Sequence, residues 1–234
     1  MLLSRRLFLS LTGSAVVAPC LLRGKEQVPS MLDHILLGCK DLQHGIDFVE
    51  QHTGVRAAFG GVHPGRGTQN ALLSLGEKHY LEIIAPDPKQ GGPVWHASIA
   101  NLTEPRLIGW AAHVSDIDEF ASRLKAAQIP CEGPWPGSRQ RPDGRVLRWK
   151  TLSLKNDEGG LLPFFIEWSA DSSHPSVGAP QGCRLAGFEL VAPDSDALAR
   201  TVAQLSLDMT VRKGGRSQLI ASLAGPKGEL ELSS

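Results

Sequence analysis

The chain has 234 residues, of which 41% are hydrophobic and 21% are charged, and its 24 basic residues balance 24 acidic ones. This length and composition are ordinary for a globular protein with a substantial core, in one large or two small domains. Because there is no basic excess, nucleic acid and an anionic membrane surface are excluded as principal partners.

The N-terminal residues are typical of an export signal. Arg5 and Arg6 precede Phe8 and an apolar run that ends at Leu22, which is too short for a comfortable membrane span. Adjacent arginines followed by Phe-Leu resemble a twin-arginine signal, which predicts an exported, periplasmic protein with no other integral membrane span. Residues 1–28 are therefore assigned to a signal segment and linker. The alternatives are an uncleaved amphipathic anchor or a misplaced start.

The cysteines constrain the fold little. Cys20 lies in the predicted signal segment, and three widely separated cysteines remain: Cys39, Cys131 and Cys183. No pair has the spacing of a zinc site, and an odd number argues against a disulfide framework.

The folded part begins with an alternating strand that ends at Gly38. Asp41 then caps a helix whose apolar side chains recur at helical spacing. Three further strands are predicted, over residues 55–59, 70–75 and 79–85, with a glycine-rich loop from His63 to Asn70 between the first two. The first unit is therefore strand, helix and three strands.

The same order of elements occurs twice more along the chain. Each predicted helix begins at an aspartate: Asp41, Asp116 and Asp194. Each last strand carries a glutamate between apolar neighbours: Glu82, Glu167 and Glu231. Because these landmarks coincide in all three units, the chain contains an internal repeat.

The repeat predicts an α+β fold. A unit with one helix cannot bury both its helix and its sheet alone, so units must pair. Residues 29–176 are assigned to a domain of two βαβββ modules, paired into an open, curved-sheet cleft. Residues 182–234 are assigned to a third, more compact module, which has no fourth to pair with. It is predicted to cap the first two or to form a homodimer interface.

Four stretches resemble the vicinal oxygen chelate superfamily, and in particular its glyoxalase-like branch. They are Leu32-Asp33-His34-Ile35, His63 to Asn70, Tyr80-Leu81-Glu82 and Phe164 to Trp168. The resemblance implies paired βαβββ modules around a divalent metal, with ligands from the first and last strands of the modules. It thereby implies His34, Glu82 and Glu167 as the metal ligands.

The residue types are consistent with that expectation. All three are polar residues on otherwise apolar strand faces. One imidazole and two carboxylates suit Fe(II), Mn(II), Ni(II) or Zn(II), and three protein ligands leave room for substrate oxygens. The alternatives are a satisfied core histidine at His34, and salt bridges from Glu82 and Glu167 to cleft arginines such as Arg66 or Arg148.

One departure from the family pattern is evident. Seven residues before the helix-start aspartate, the first unit has His34, but the second has Gly109 and the third has Gly187. A second imidazole is therefore missing. His113 lies four residues beyond Gly109, on the same strand face, and is a candidate substrate contact rather than a replacement ligand.

The glycine-rich loop supplies the other candidate substrate contacts. It lacks the Lys-Ser/Thr ending of a phosphate loop. Arg66 or Asn70 would contact a carboxylate or carbonyl of the substrate, and His63 would act as a further ligand or an acid–base group. The alternative is a simple turn. Arg139, Arg141, Arg145 and Arg148 are assigned to a solvated hairpin, and Trp135, Trp149 and Trp168 to core and cleft wall.

These observations predict a metal-dependent enzyme for a small substrate with vicinal oxygens, of the isomerase, lyase or dioxygenase type. Glu82 or Glu167 would shuttle the proton. Glutathione-dependent glyoxalase activity is disfavoured, because glutathione would be scarce around an exported protein. The alternatives are a metal-free, small-molecule-binding protein of the resistance type and a structural interaction module.

Overall fold

The computed structural model describes residues 28–91, 94, 97–141 and 143–234. The predicted signal segment, up to residue 27, lies outside these residues. Within the described ranges, no helix is long and apolar enough to cross a membrane.

Two modules of strand, helix and three strands follow one another. The first comprises β1 (Leu32–Gly38), α1 (Leu42–Thr53), β2 (Ala58–His63), β3 (Thr68–Ser74) and β4 (Tyr80–Pro86). After a 3-10 turn at Ala97–Asn101, the second comprises β5 (Arg106–His113), α2 (Ile117–Ala126), β6 (Cys131–Gln140), β7 (Val146–Leu154) and β8 (Phe164–Trp168). A short helix, α3 (Pro175–Gly178), leads to the third module. That module comprises β9 (Arg184–Ala192), α4 (Ser195–Gln204), β10 (Val211–Lys213), β11 (Gln218–Gly225) and β12 (Gly228–Ser233).

The three predicted helix starts are confirmed. Asp41, Asp116 and Asp194 are the N-cap residues of α1, α2 and α4. Each carboxylate accepts a hydrogen bond from a backbone N–H three residues further on, which satisfies one of the free donors of the first turn.

The first two modules share one eight-stranded sheet in the order β2-β3-β4-β1-β5-β8-β7-β6. The antiparallel pair β1 and β5 joins the modules, and in each module the last strand runs parallel beside the first. The two edge strands, β2 and β6, come into contact, so the sheet curves into a nearly closed half-barrel. The predicted α+β fold, with two paired modules around a cleft, is confirmed.

The third module differs from the other two in its strand order. Its sheet has the order β10-β9-β11-β12, so its last strand does not lie beside its first. Trp110 of β5 packs edge-to-face on Phe188 of β9, and one hydrophobic cluster runs through all three modules. Glu231 is therefore not the structural counterpart of Glu82. The division at residues 176 and 182 and the homodimer interface stay predictions.

The glycine-rich loop is shorter than the sequence suggested. β2 ends at His63 and β3 begins at Thr68, so residues 64–67 connect the two strands. Gly60 and Gly61 lie inside β2, where the pairing with β3 shifts register between Phe59 and Gly61. Glycines at a bulge leave room for a side chain from another strand. Here that side chain comes from β6, as described below.

A second glycine sets the distance between helix α1 and the sheet. A Cβ at Gly45 would lie 2.6 Å from Cys39 Sγ and 2.6 Å from Ile83 Cγ2, and both neighbours are buried. Packed interiors do not absorb an added methyl without displacing their neighbours.

We therefore expect Gly45→Ala to destabilise the protein, although alanine is the better helix former. Overpacking costs about 1–3 kcal/mol, against a gain in helix propensity of about 1 kcal/mol, so the free energy of unfolding should fall by up to about 2 kcal/mol. Urea denaturation measures the change. Gln51→Ala, at an exposed position of the same helix, should change it by less than about 0.5 kcal/mol. A more stable Gly45→Ala protein would contradict the tight helix–sheet contact.

Candidate functional site

A cavity of about 540 Å³ opens on the concave face of the eight-stranded sheet. Its polar side comes from strands of the first module: His34, His63, Asn70 and Glu82. Its aromatic side comes largely from strands of the second module: Trp135, Trp149, Phe164 and Trp168. This size, and a few polar groups facing apolar walls, are typical of a site for a small molecule.

The bottom of the cavity depends on a bulge in β1. Asp33 and His34 are adjacent in sequence, and in a regular strand their side chains would point to opposite faces. The pairing of β1 with β5 shifts register between Leu32 and His34. The two side chains meet at this bulge, with Asp33 Oδ1 2.7 Å from His34 Nδ1.

The Asp33 carboxylate has three nitrogen partners. Besides His34, Trp168 Nε1 donates to Oδ2 at 3.0 Å, and His174 Nε2 lies 3.2 Å from the same oxygen. Asp33 is only 2% exposed. Burial raises its pKa, but the hydrogen bonds from His174 and His34 and the charges of these two histidines outweigh burial and hold the pKa well below the usual range. The aspartate is therefore ionised.

An ionised Asp33 decides which nitrogen of His34 carries the proton. Its hydrogen bond assigns a proton to Nδ1 and leaves Nε2 as the nitrogen on the Glu82 side. His34 Nε2 lies 3.4 Å from Glu82 Oε2. The imidazole ring also stacks on Tyr80, with ring centroids 4.5 Å apart. His34 is thus held between two carboxylates in a fixed orientation.

Glu82 is buried among partners that favour its ionised form. Its Oε1 accepts a hydrogen bond from Asn70 Nδ2 at 2.6 Å and lies 3.6 Å from His63 Nε2. Burial raises the pKa of Glu82, but the charges of His63 and His34, the Asn70 bond and the Arg139 charge together hold it below its usual value.

The structure brings three of the four predicted substrate contacts to the cavity: His63, Arg66 and Asn70. His63 Nδ1 lies 2.9 Å from Thr68 Oγ1, and burial lowers the pKa of His63, which favours a neutral ring. His113 does not line the cavity. Its side chain is 51% exposed, and its Nδ1 lies 3.8 Å from Asp33 Oδ2.

Arg139 is a cavity residue that the sequence interpretation assigned to a solvated hairpin. It is only 5% exposed, and its Nη1 donates to Asn70 Oδ1 at 3.0 Å. Gly60 gives it room, because a Cβ there would lie 2.5 Å from both Arg139 Nη1 and Asn70 Oδ1. Residues 135–139 of β6 all line the cavity, so the strand shows no period of two that could have indicated Arg139 from the sequence.

Glu167 corrects the predicted ligand set. On β8, Phe164, Ile166 and Trp168 face the cavity, so the intervening Glu167 points to the other face of the sheet. There Glu167 Oε2 accepts a 2.8 Å hydrogen bond from the backbone N–H of Ile117, at the N-terminus of α2. The structure does not bring Glu167 together with His34 and Glu82, so neither its ligand role nor its catalytic role fits.

The predicted ligands of the divalent metal that the resemblance implies do not come together, because Glu167 lies on the other face of the sheet. The described part of the chain contains no group of three or more His, Cys, Asp or Glu side chains that could hold a metal ion. Asp33 engages His34 Nδ1 and Asn70 engages Glu82 Oε1, but contacts of this kind also orient the ligands of metal sites, so the misfit rests on Glu167 and not on them. The Arg139 guanidinium beside Asn70 adds a positive charge that disfavours a nearby cation.

Comparisons with known proteins agree with this architecture. A family model described as a glyoxalase-like domain matches residues 32–206, well over half of the chain. A hypothetical protein from Staphylococcus aureus has a similar structure, with a TM-score of 0.58 and 16% identity over 86% of this chain and 84% of that one. Methylmalonyl-CoA epimerase from Mycobacterium tuberculosis has a TM-score of 0.45 and 20% identity, over 64% and 92%. At these identities the Staphylococcus likeness shows the fold alone. No curated protein matches the chain.

We expect Glu167→Ala to weaken helix α2. A carboxylate that accepts from a first-turn N–H also interacts favourably with the helix dipole, and its loss should lower the free energy of unfolding by about 1 kcal/mol. Chemical denaturation measures the change. Glu229→Ala, at an exposed position of β12, is the matched control and should leave stability within about 0.5 kcal/mol. Equal stabilities of the two variants would contradict the capping role.

Proposed function

The chain belongs to the glyoxalase-like domain family of the vicinal oxygen chelate superfamily, and we propose that its cavity transfers a proton on a small carbonyl compound with two adjacent oxygens. The observation that carries this proposal is the chain of contacts Asp33–His34–Glu82 at the bottom of an open cavity. Two carboxylates on either side of one imidazole form an arrangement suited to acid–base chemistry.

His34 is the general base in this proposal. Its Nε2 takes a proton from the carbon next to the substrate carbonyl, and the electron pair of that bond moves onto the carbonyl oxygen. Asp33, hydrogen-bonded to Nδ1, keeps the ring in the required tautomer and stabilises the imidazolium that forms. Return of that proton to the former carbonyl carbon, together with transfer of the substrate's hydroxyl proton to the former carbonyl oxygen, forms the carbonyl at the other carbon and completes an isomerisation with no net change in charge.

Glu82 stabilises the same imidazolium from its other side, since its Oε2 is the carboxylate oxygen nearest to Nε2. The predicted catalytic role is therefore kept for Glu82 and withdrawn for Glu167. Negative charge that develops on the substrate oxygen is stabilised by positive charge in the cavity, from Arg66 and Arg139.

The sequence interpretation gave that stabilising role to a divalent metal. The positions of the side chains favour guanidinium groups instead, because Glu167 is on the other face of the sheet and Arg66 and Arg139 line the cavity. We therefore propose the isomerase type without a required metal, and derive no step through one.

A metal-free binding protein of the resistance type is the second candidate function. The aromatic wall favours it, because Trp135 is 59% exposed at the cavity and the Trp149 and Trp168 rings lie 5.5 Å apart. Such a surface can bind a planar ligand without any reaction. In that case Asp33 and His34 would only maintain the cavity.

We also propose that the protein is exported in the folded state, from Arg5, Arg6 and the apolar run after them. Residues 1–30 fused to a reporter should deliver it to the periplasm of a bacterium with a twin-arginine pathway. Replacing both arginines by lysine should retain the reporter in the cytoplasm. Equal periplasmic fractions for the two fusions would contradict this route.

The proton transfer is tested with α-hydroxyacetophenone, which has adjacent oxygens and exchangeable protons. In heavy water, proton NMR should show protein-dependent loss of its methylene signal, at a rate that a metal chelator does not change. His34→Ala should lower the rate about 100-fold or more, and Asp33→Asn about tenfold or more, because the base or its tautomer is lost.

His44→Ala is the matched control, since His44 is exposed on helix α1 and should leave the exchange rate unchanged. Equal rates in wild type and His34→Ala would contradict the proposed base. If wild type binds the compound without exchange, the binding-protein function holds in place of the enzyme.

A further inference from the structure

We propose that the cavity takes a small aromatic monoanion, whose charged oxygens are bound by Arg139 and whose ring lies against the tryptophan wall. By the tryptophan wall we mean Trp135, Trp149 and Trp168. The inference deepens the proposed function, because it names the class of substrate for the same cavity. It stands on the charge, the hydrogen-bond donors and the shape of that cavity.

The charges that line the cavity favour a single negative charge. Among the described lining residues, the guanidinium groups of Arg66 and Arg139 face one carboxylate, that of Glu82. The formal charges of these three side chains sum to +1. The Asp33 carboxylate does not line the cavity, and its hydrogen bonds to three nitrogens lie behind His34. A monoanion would neutralise the lining, whereas a cation or a dianion would not.

Arg139 has hydrogen-bond donors to offer. A guanidinium carries five N–H groups, and the Arg139 side chain makes one hydrogen bond, to Asn70. No fully buried side-chain nitrogen or oxygen of the described residues lacks a partner. The remaining Arg139 nitrogens are therefore not fully buried, and the side chain lines both this cavity and a smaller pocket beside Gly60. A guanidinium with free N–H groups at a cavity can bind a carboxylate through two parallel hydrogen bonds.

The guanidinium is held in place before any ligand arrives. Asn70 connects it to the acid–base residues, because Oδ1 accepts from Arg139 while Nδ2 donates to Glu82. Gly60 leaves the space in which Arg139 and Asn70 meet. An anchor that is already fixed loses little conformational entropy on binding, which favours affinity.

The opposite side of the cavity suits a flat apolar ring. Trp149 packs so closely on β6 that a Cβ at Gly137 would lie 2.4 Å from its Nε1. The indole nitrogen of Trp168 is held by Asp33, which leaves its ring as a wall. Fixed indole faces favour a planar partner, and they accept it by offset or edge contacts.

The test compares phenylacetate with phenylacetamide, which has nearly the same shape and no charge. Intrinsic tryptophan fluorescence and calorimetry follow binding, since three tryptophans line the cavity. Wild type should bind the acid at least about tenfold more tightly than the amide. Arg139→Gln should remove that difference. Gly60→Ala keeps Arg139 but displaces it, and should reduce the difference.

Arg148→Gln is the matched control, because Arg148 is exposed and paired with Asp171, and it should keep the full preference for the acid. Thermal unfolding of each variant establishes that it is folded, and Gly60→Ala carries the test if Arg139→Gln does not fold. Equal affinity of wild type for acid and amide overturns the inference. So does an Arg139→Gln protein that keeps the preference, or a failure of phenylacetate to bind at millimolar concentration.

Binding needs no proton transfer, so the two proposals fail separately. A wild-type protein that prefers the acid but exchanges no proton contradicts the proposed function alone. Exchange of α-hydroxyacetophenone without a preference for the acid contradicts the inference alone.

Discussion

The buried carboxylate of Asp33 is the constraint on which the site depends. A buried ionised group must be paired, and its partners come from three separate places: His34 on β1, Trp168 on β8 and His174 before α3. These contacts tie the first module to the last strand of the second and to the segment that follows it. The bulge in β1 makes them available, because it brings Asp33 and His34 together. One backbone irregularity thus orients the imidazole and fixes the depth of the cavity.

The curvature of the sheet supplies the second half of the site. Strands β2 and β6 are the two edges of the sheet, far apart in strand order, and they meet only because the sheet nearly closes. Arg139 comes from one edge strand and reaches Asn70 on β3, in the space that Gly60 leaves on the other edge. The contact between Arg139 and Asn70 therefore depends on closure of the half-barrel. A change that separates β2 from β6 would also remove the Arg139 guanidinium from the cavity.

The sequence predicted features with a local or periodic signal. Aspartates at helix starts, and polar residues on apolar strand faces such as His34 and Glu82, have causes within a few residues of the chain. Prediction from the sequence failed where the position of a side chain depended on a shift of one residue along a strand, or on a tertiary contact. Glu167 looked equivalent to Glu82, but neighbouring strand positions face opposite sides of a sheet. The contact of Asp33 with His34 required a bulge in β1 that no residue type indicates. The place of Arg139 in the cavity required the two distant edges of the sheet to meet. The repeat alone does not predict the strand order of the third module, because that order depends on how the module packs on the first two.

The positive charge of the cavity comes from the side chains of Arg66 and Arg139. In the second module, Gly109 on β5 stands at the position that corresponds to His34. The cavity face of β8, the strand that corresponds to that of Glu82, carries apolar residues. What the second module contributes instead is Arg139, with an aromatic wall that excludes water around it. In such surroundings a fixed guanidinium interacts strongly with an anion, because little solvent competes and little reorganisation is needed. The same surroundings hold the His34 imidazole between two carboxylates. The anion binding and the proton transfer that we propose would then be linked through Asn70, which holds Arg139 and Glu82 in one network.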